Sequence, residues 1–174
     1  MGWDSTQVRA RVAALAAGDF EQQRFGADRH RYRLREPLSG AAVEEFEHRH
    51  GVRLPEAYRR FLTEVADGGA GPEYGVLGLF EEVDEAGVLH GERAEALRPG
   101  FLATAFPHTA ARLRRDGYAV TGSLVIGEGC CGQFSRLVVT GPSAGQVWLD
   151  DQVRGALTPG PDFRDWYLAW LGSG

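Results

Sequence analysis

The chain has 174 residues and a mass of 19.0 kDa, with 43% apolar and 25% charged residues, a balance that excludes a disordered tail and predicts a single globular domain. All 19 basic residues are arginine and stand against 24 acids, for a net charge of −5. That balance argues against a nonspecific nucleic-acid binder, whose grip on phosphates needs clustered positive charge, and suits a basic partner instead.

No run approaches the roughly 18 apolar residues of a membrane helix, and no charged-then-apolar leader opens the chain. The expectation is a protein of the cytoplasm with no membrane contact. The absence of lysine points to a GC-rich bacterial genome. A core of this size needs no disulfide or structural metal, and the two cysteines, Cys130 and Cys131, are adjacent, so they cannot staple distant segments.

Asp4 or Ser5 caps a first helix whose apolar positions Val8, Val12 and Leu15 recur at three- and four-residue spacings before Gly18,. Residues 29–35 alternate, with Arg29, Arg31, Arg33 and Arg35 separated by His30, Tyr32 and Leu34. That period of two predicts a strand, read as a solvated edge protected by its charges rather than as a phosphate-binding row. Pro37 and Ser39 introduce a second helix with Val43 and Phe46 inward and Gly51 as its stop,. A third starts at Pro55, where a missing amide is harmless, and carries Tyr58, Phe61, Leu62 and Val65 toward Gly68-Gly69,.

The glycine-rich stretch 68–78, with Pro72 and Tyr74, reads as a loop entering a short strand over 76–80,. An acidic segment follows, residues 81–95, with Glu81, Glu82, Asp84, Glu85, Glu92 and Glu95 against Arg93 alone. Residues 106–116 predict a short helix after Pro107. Then residues 123–126, 134–140 and 146–150 read as three strands separated by glycine, an antiparallel meander,. Asp162 caps a last helix with Phe163, Trp166, Tyr167 and Trp170 as its apolar stripe,. Helices, then strands, then a closing helix predict an α+β domain with a central, mainly antiparallel sheet flanked by helices.

Several motifs fail on their context. Gly127-x-Gly129-x-x-Gly132 matches a dinucleotide fingerprint, but a strand follows it where a phosphate-holding helix is required, so it reads as a hairpin loop,. Gly141-x-Ser143-x-Gly145 matches a nucleophile elbow, yet no histidine follows it and the next element is a strand, so it reads as a turn,. His48 and His50 are two apart on a helix and face apart, and no metal-ligand spacing occurs,. The cysteine pair could act as a redox or nucleophilic pair with His108 as base, but such thiols are more often small packing residues.

Leu54-Pro55-x-x-Tyr58-x-x-Phe61-Leu62, closed by Asp67-Gly68-Gly69, resembles the signature of the SUKH superfamily, the Smi/Knr domain of cell-wall-synthesis regulators. The loop Gly129-Cys130-Cys131-Gly132, the strand Leu137-Val138-Val139-Thr140-Gly141, the segment Gly145-Gln146-Val147-Trp148-Leu149-Asp150 and Asp162-Phe163-x-x-Trp166 are similar to its bacterial branch. The resemblance spans residues 36–171 and leaves 1–35 as a packed extension carrying the first helix and the arginine row.

It implies a noncatalytic binding domain without metal or cofactor. Its partner would be a protein, a basic toxin domain of nuclease type that the chain neutralises as an immunity protein, with no direct nucleic-acid contact and a monomeric or weakly dimeric state. Glu81, Glu82, Asp84 and Glu85 are the expected contact face, because an acidic patch speeds association with a basic surface. The loop at Tyr74 is the next candidate. A solvated acidic loop that only confers solubility is the competing reading of the same residues. A regulatory scaffold and a thiol enzyme built on Cys130 and Cys131 are the alternative functions.

Overall fold

In the computed structural model, which describes residues 3–81, 91–117 and 119–172, helices occupy the first half and a sheet the second. Helix α1 (Ser5–Gly18) begins at Asp4, whose carboxylate accepts a hydrogen bond from the Gln7 amide at 2.9 Å, and it turns Val8 and Val12 inward,. A single helical turn, α2 (Ala27–His30), follows. Helix α3 (Gly40–His50) is capped by the Ser39 hydroxyl, which accepts from the Ala42 amide at 3.2 Å, and it buries Val43 and Phe46. Helix α4 (Glu56–Arg60) passes directly into a π-helical turn (Phe61–Val65), closed by the Ala66 amide donating to the Phe61 carbonyl at 3.0 Å. Phe61, Leu62 and Val65 are all buried there. Helix α5 (Gly91–Ala96), which periodicity does not predict, packs on the sheet.

The sheet has five strands: β1 (Arg112–Leu113), β2 (Ser123–Glu128), β3 (Gln133–Val138), β4 (Val147–Asp151) and β5 (Ala156–Thr158). Their order is β1-β5-β4-β3-β2, and every pairing is antiparallel. Strands β2 to β4 are the expected meander. Alternation along them builds two cores. Leu124, Ile126, Leu137 and Val147 join the helices on one face, while Val138, Trp148 and Leu157 pack with Phe106 on the other,.

Helix α6 (Phe163–Gly172) starts at Asp162, whose carboxylate accepts from the Asp165 amide at 3.0 Å. Its buried stripe is Phe163, Tyr167 and Leu171, with Trp166 and Trp170 half-buried on the flank. The expected stripe is therefore rotated. Tyr167 takes the inward position because its hydroxyl donates to the Ala70 carbonyl at 2.9 Å and its ring lies 4.8 Å from that of Phe61. Trp3 closes the same core, donating its indole N–H to the Ala57 carbonyl at 2.7 Å and standing edge-on to Phe61 at 5.5 Å and Phe163 at 6.1 Å.

Three expected elements differ. Residues 29–35 are not a strand: Arg29 and His30 end α2, Arg31 and Tyr32 are left-handed with φ of 48° and 55°, and only Leu34 bridges to Gly69. Local bonds outcompete the extended backbone, since His30 Nδ1 accepts from the Tyr32 amide at 3.0 Å and the Tyr32 hydroxyl donates to Asp19 at 2.6 Å,. The strand over 76–80 contracts to a bridge at Val76, followed by a turn in which the Glu81 amide donates to the Gly78 carbonyl at 3.1 Å. The helix over 106–116 is absent. Phe106 and His108, two residues apart, are both buried, which is the period of extended chain; β1 and a 3-10 turn (Arg114–Asp116) follow,.

Candidate functional site

Single-residue bridges carry the sheet past β2, from Gly127 to Val76, from Val76 to Gly69 and from Gly69 to Leu34. Leu34, half-buried against the core, is flanked by Arg33 and Arg35, both exposed. The close approach needs glycine at position 69, where φ is +100° and a Cβ would fall 2.3 Å from the Arg33 carbonyl oxygen,. The left-handed turn at Arg31 and Tyr32 then folds Arg29 and Arg31 toward the same opening.

The result is a cleft of about 400 Å³ walled by Arg29, Arg31, Arg33, Arg35, Tyr74, Glu81 and Glu128, with Gly69, Gly75 and Val76 among its lining. Arg35 holds Glu81 at 2.8 Å, and Glu81 also accepts from the Gly78 amide at 2.9 Å. At position 78 a Cβ would sit 2.6 Å from the Arg35 guanidinium and 3.1 Å from the Asp67 carboxylate, so any side chain there would displace the Arg35 fork. Asp67 in turn accepts from the Leu79 amide at 2.7 Å. Tyr74 stacks on Phe25 with ring centroids 5.0 Å apart, and the Arg29 guanidinium lies 4.8 Å from its ring centre,. Among the described residues, neither Arg31 nor Arg33 has a carboxylate partner.

His30 also lines the cleft, but its ring is buried edge-on to Trp170 at 5.8 Å. Burial pushes its pKa down to about 4, so it is neutral at pH 7 and the positive charge of the cleft comes from arginine alone,.

Two of the sequence-predicted contact residues, Tyr74 and Glu81, thus share one cleft. Glu82, Asp84 and Glu85 lie outside the described residues. The one base of the acidic segment, Arg93, is fully buried and donates to the carbonyls of Gly78 and Leu79 at 2.7 Å each and to that of Val125. Glu95 pairs with Arg98. The arginine row was visible in the sequence as an alternation, but the edge-strand reading set its side chains in solvent rather than around a cavity.

The motifs that fail on context have structural roles. Ser143 is buried in the turn before β4 and donates its hydroxyl to the His108 carbonyl at 2.8 Å. His108 Nε2 accepts from the Ala119 amide at 3.2 Å. Cys130 and Cys131 are exposed in the hairpin loop between β2 and β3, and a hydrogen bond that the protonated Cys130 thiol donates to Cys131 holds the Cys130 pKa above the usual thiol range, disfavouring the nucleophilic thiolate,. Among the described residues no three His, Cys, Asp or Glu side chains cluster as metal ligands, and no helix is long and apolar enough to cross a membrane.

An α+β domain with an antiparallel meander, whose motif residues Leu54, Tyr58, Phe61 and Leu62 are all buried in one core with Phe163 and Tyr167, is a scaffold defined by its core. Residues 37–168 match the model of the SMI1 / KNR4 family (SUKH-1), and the chain belongs to that family. Neither a curated protein nor a solved structure matches the chain.

Proposed function

We propose that the chain is a noncatalytic protein-binding domain of the immunity type, which neutralises a basic toxin domain, of nuclease type, in the bacterial cytoplasm. The family match over residues 37–168 carries this reading. The residues behind the family signature are committed to the core, so binding falls to the surface they display,. In this reading Glu81, Glu82, Asp84 and Glu85 meet the basic surface of the toxin, Tyr74 shares the cleft with Glu81, and residues 1–35 are a packed extension of the domain. Acids at a contact face set the association rate more than the final affinity.

The test is protection of cells. The toxic domain encoded beside this gene should arrest host growth, and co-expression of the chain should restore it. Reversing Glu81, Glu82, Asp84 and Glu85 together to arginine should slow capture of the toxin sharply at low salt, with the difference shrinking as salt rises. A chain that gives no protection, or a gene with no toxin beside it, would favour a regulatory scaffold. Protection lost in a Cys130→Ser/Cys131→Ser variant of unchanged melting temperature would favour thiol chemistry.

A further inference from the structure

In a chain of net charge −5, four guanidinium groups gather at one cleft of about 400 Å³. Arg35 is shared with Glu81 and Arg29 is held over the Tyr74 ring, while Arg31 and Arg33 stand exposed without a carboxylate among the described residues. Two consecutive left-handed residues, Arg31 and Tyr32, are needed to build this wall. Such backbone is strained and persists where surrounding contacts over-determine it, here the bonds from Tyr32 to His30 and Asp19,. All four arginines precede residue 37, where the family match begins, whereas Gly69, Tyr74 and Gly75 lie within it. The family scaffold therefore supplies the floor, and this chain's own extension supplies the charge.

We infer that the cleft recognises the carboxylates of an acidic segment of a protein partner. A guanidinium fork matches a carboxylate bidentately, and two unshared forks suit two separate carboxylates. Glu81 and Glu128 line the same cleft, so its walls carry four positive and two negative charges. A compact polyphosphate would press its charge against those glutamates, whereas carboxylates spaced along a peptide engage Arg31 and Arg33 and avoid them. Phe25, 57% exposed behind Tyr74, offers apolar surface to the same peptide. This site goes beyond the immunity reading, since it calls for a ligand of opposite charge to a basic toxin, and it shares only Glu81 and Tyr74 with the proposed toxin face.

Fluorescein-labelled hexaglutamate, titrated with the full chain at low salt and followed by anisotropy, should bind saturably and weaken as salt rises. Arg31→Asn/Arg33→Gln should weaken it at least tenfold; asparagine is chosen because it tolerates the left-handed backbone at position 31. Arg53→Gln, outside the cleft, should leave binding unchanged. If the double variant melts early, Arg33→Gln alone is the reading variant and should still weaken binding severalfold. No binding of hexaglutamate, or equal binding by the folded arginine variants, would overturn the assignment. Displacement of the peptide by inorganic pyrophosphate at lower concentration than by free hexaglutamate would also overturn it, in favour of a phosphate ligand. Loss of toxin protection with peptide binding intact would instead count against the immunity reading alone.

Discussion

Arginine does opposite work in two regions of this molecule. Arg136 on β3 is 2% exposed and pairs at 2.7 Å with Asp150, itself 1% exposed, and Arg93 is buried under a set of backbone carbonyls. Arg31 and Arg33 stand at the cleft with their forks turned out of the core. A guanidinium cannot be neutralised by losing its proton, so it enters the interior only where acceptors are already in place. The buried arginines are part of the fold because strands and turns bring acceptors to them. Arg31 and Arg33 are available to a ligand because, among the described residues, the fold brings them no carboxylate.

The sharpest break of that contrast is Arg136→Met, which takes the guanidinium away from the buried Asp150 carboxylate and should cost about 3–5 kcal/mol in urea unfolding,. Adding Asp150→Leu should recover much of the loss. A single variant as stable as the parent would show that the pair is hydrated rather than sealed.

His30 lies between the two regions, beneath the cleft and against the core. Its pKa is about 4 in the fold and near 6.5 when unfolded,. Between those values the unfolded chain holds the extra proton, so stability is full above about pH 6.5 and falls as pH drops toward 4. From pH 7 to pH 5 the loss should be about 1–2 kcal/mol. A His30→Gln chain should show a flatter melting temperature over that range, and an equally steep one would assign the slope to other groups.

Smallest in stability is the cleft itself. The Arg35–Glu81 pair is 49% and 17% exposed, and Glu81→Gln should cost less than about 1 kcal/mol in the same unfolding assay. A loss several times larger would place this pair with the buried arginines and make the cleft a structural element.

The helices were legible because their signals are local. Ser39 with Val43 and Phe46, and Asp162 with Phe163, each combine a cap with the start of an apolar stripe, and both lie within one or two turns of chain. The meander was legible for the same reason, as valine-rich runs broken by glycine. Residues 29–35 misled because alternation records only which side chains share a direction. It does not distinguish an extended chain from a left-handed turn held by His30 and Tyr32.

The amino-acid sequence by itself determined the α+β class, the capped helices, the antiparallel meander and the family, since each rests on spacing along a few residues. Tertiary structure alone decided where charge is presented. Arg93 reads in sequence as a lone base in an acidic segment, yet it is buried on carbonyls from Gly78, Leu79 and Val125. Arg29 to Arg35 meet Tyr74 and Glu81 only through the chain of bridges from Leu34 to Gly69 and Val76. Whether an arginine is sealed or offered depends on acceptors that arrive from tens of residues away, and that arrival is a property of the packed fold rather than of any local pattern.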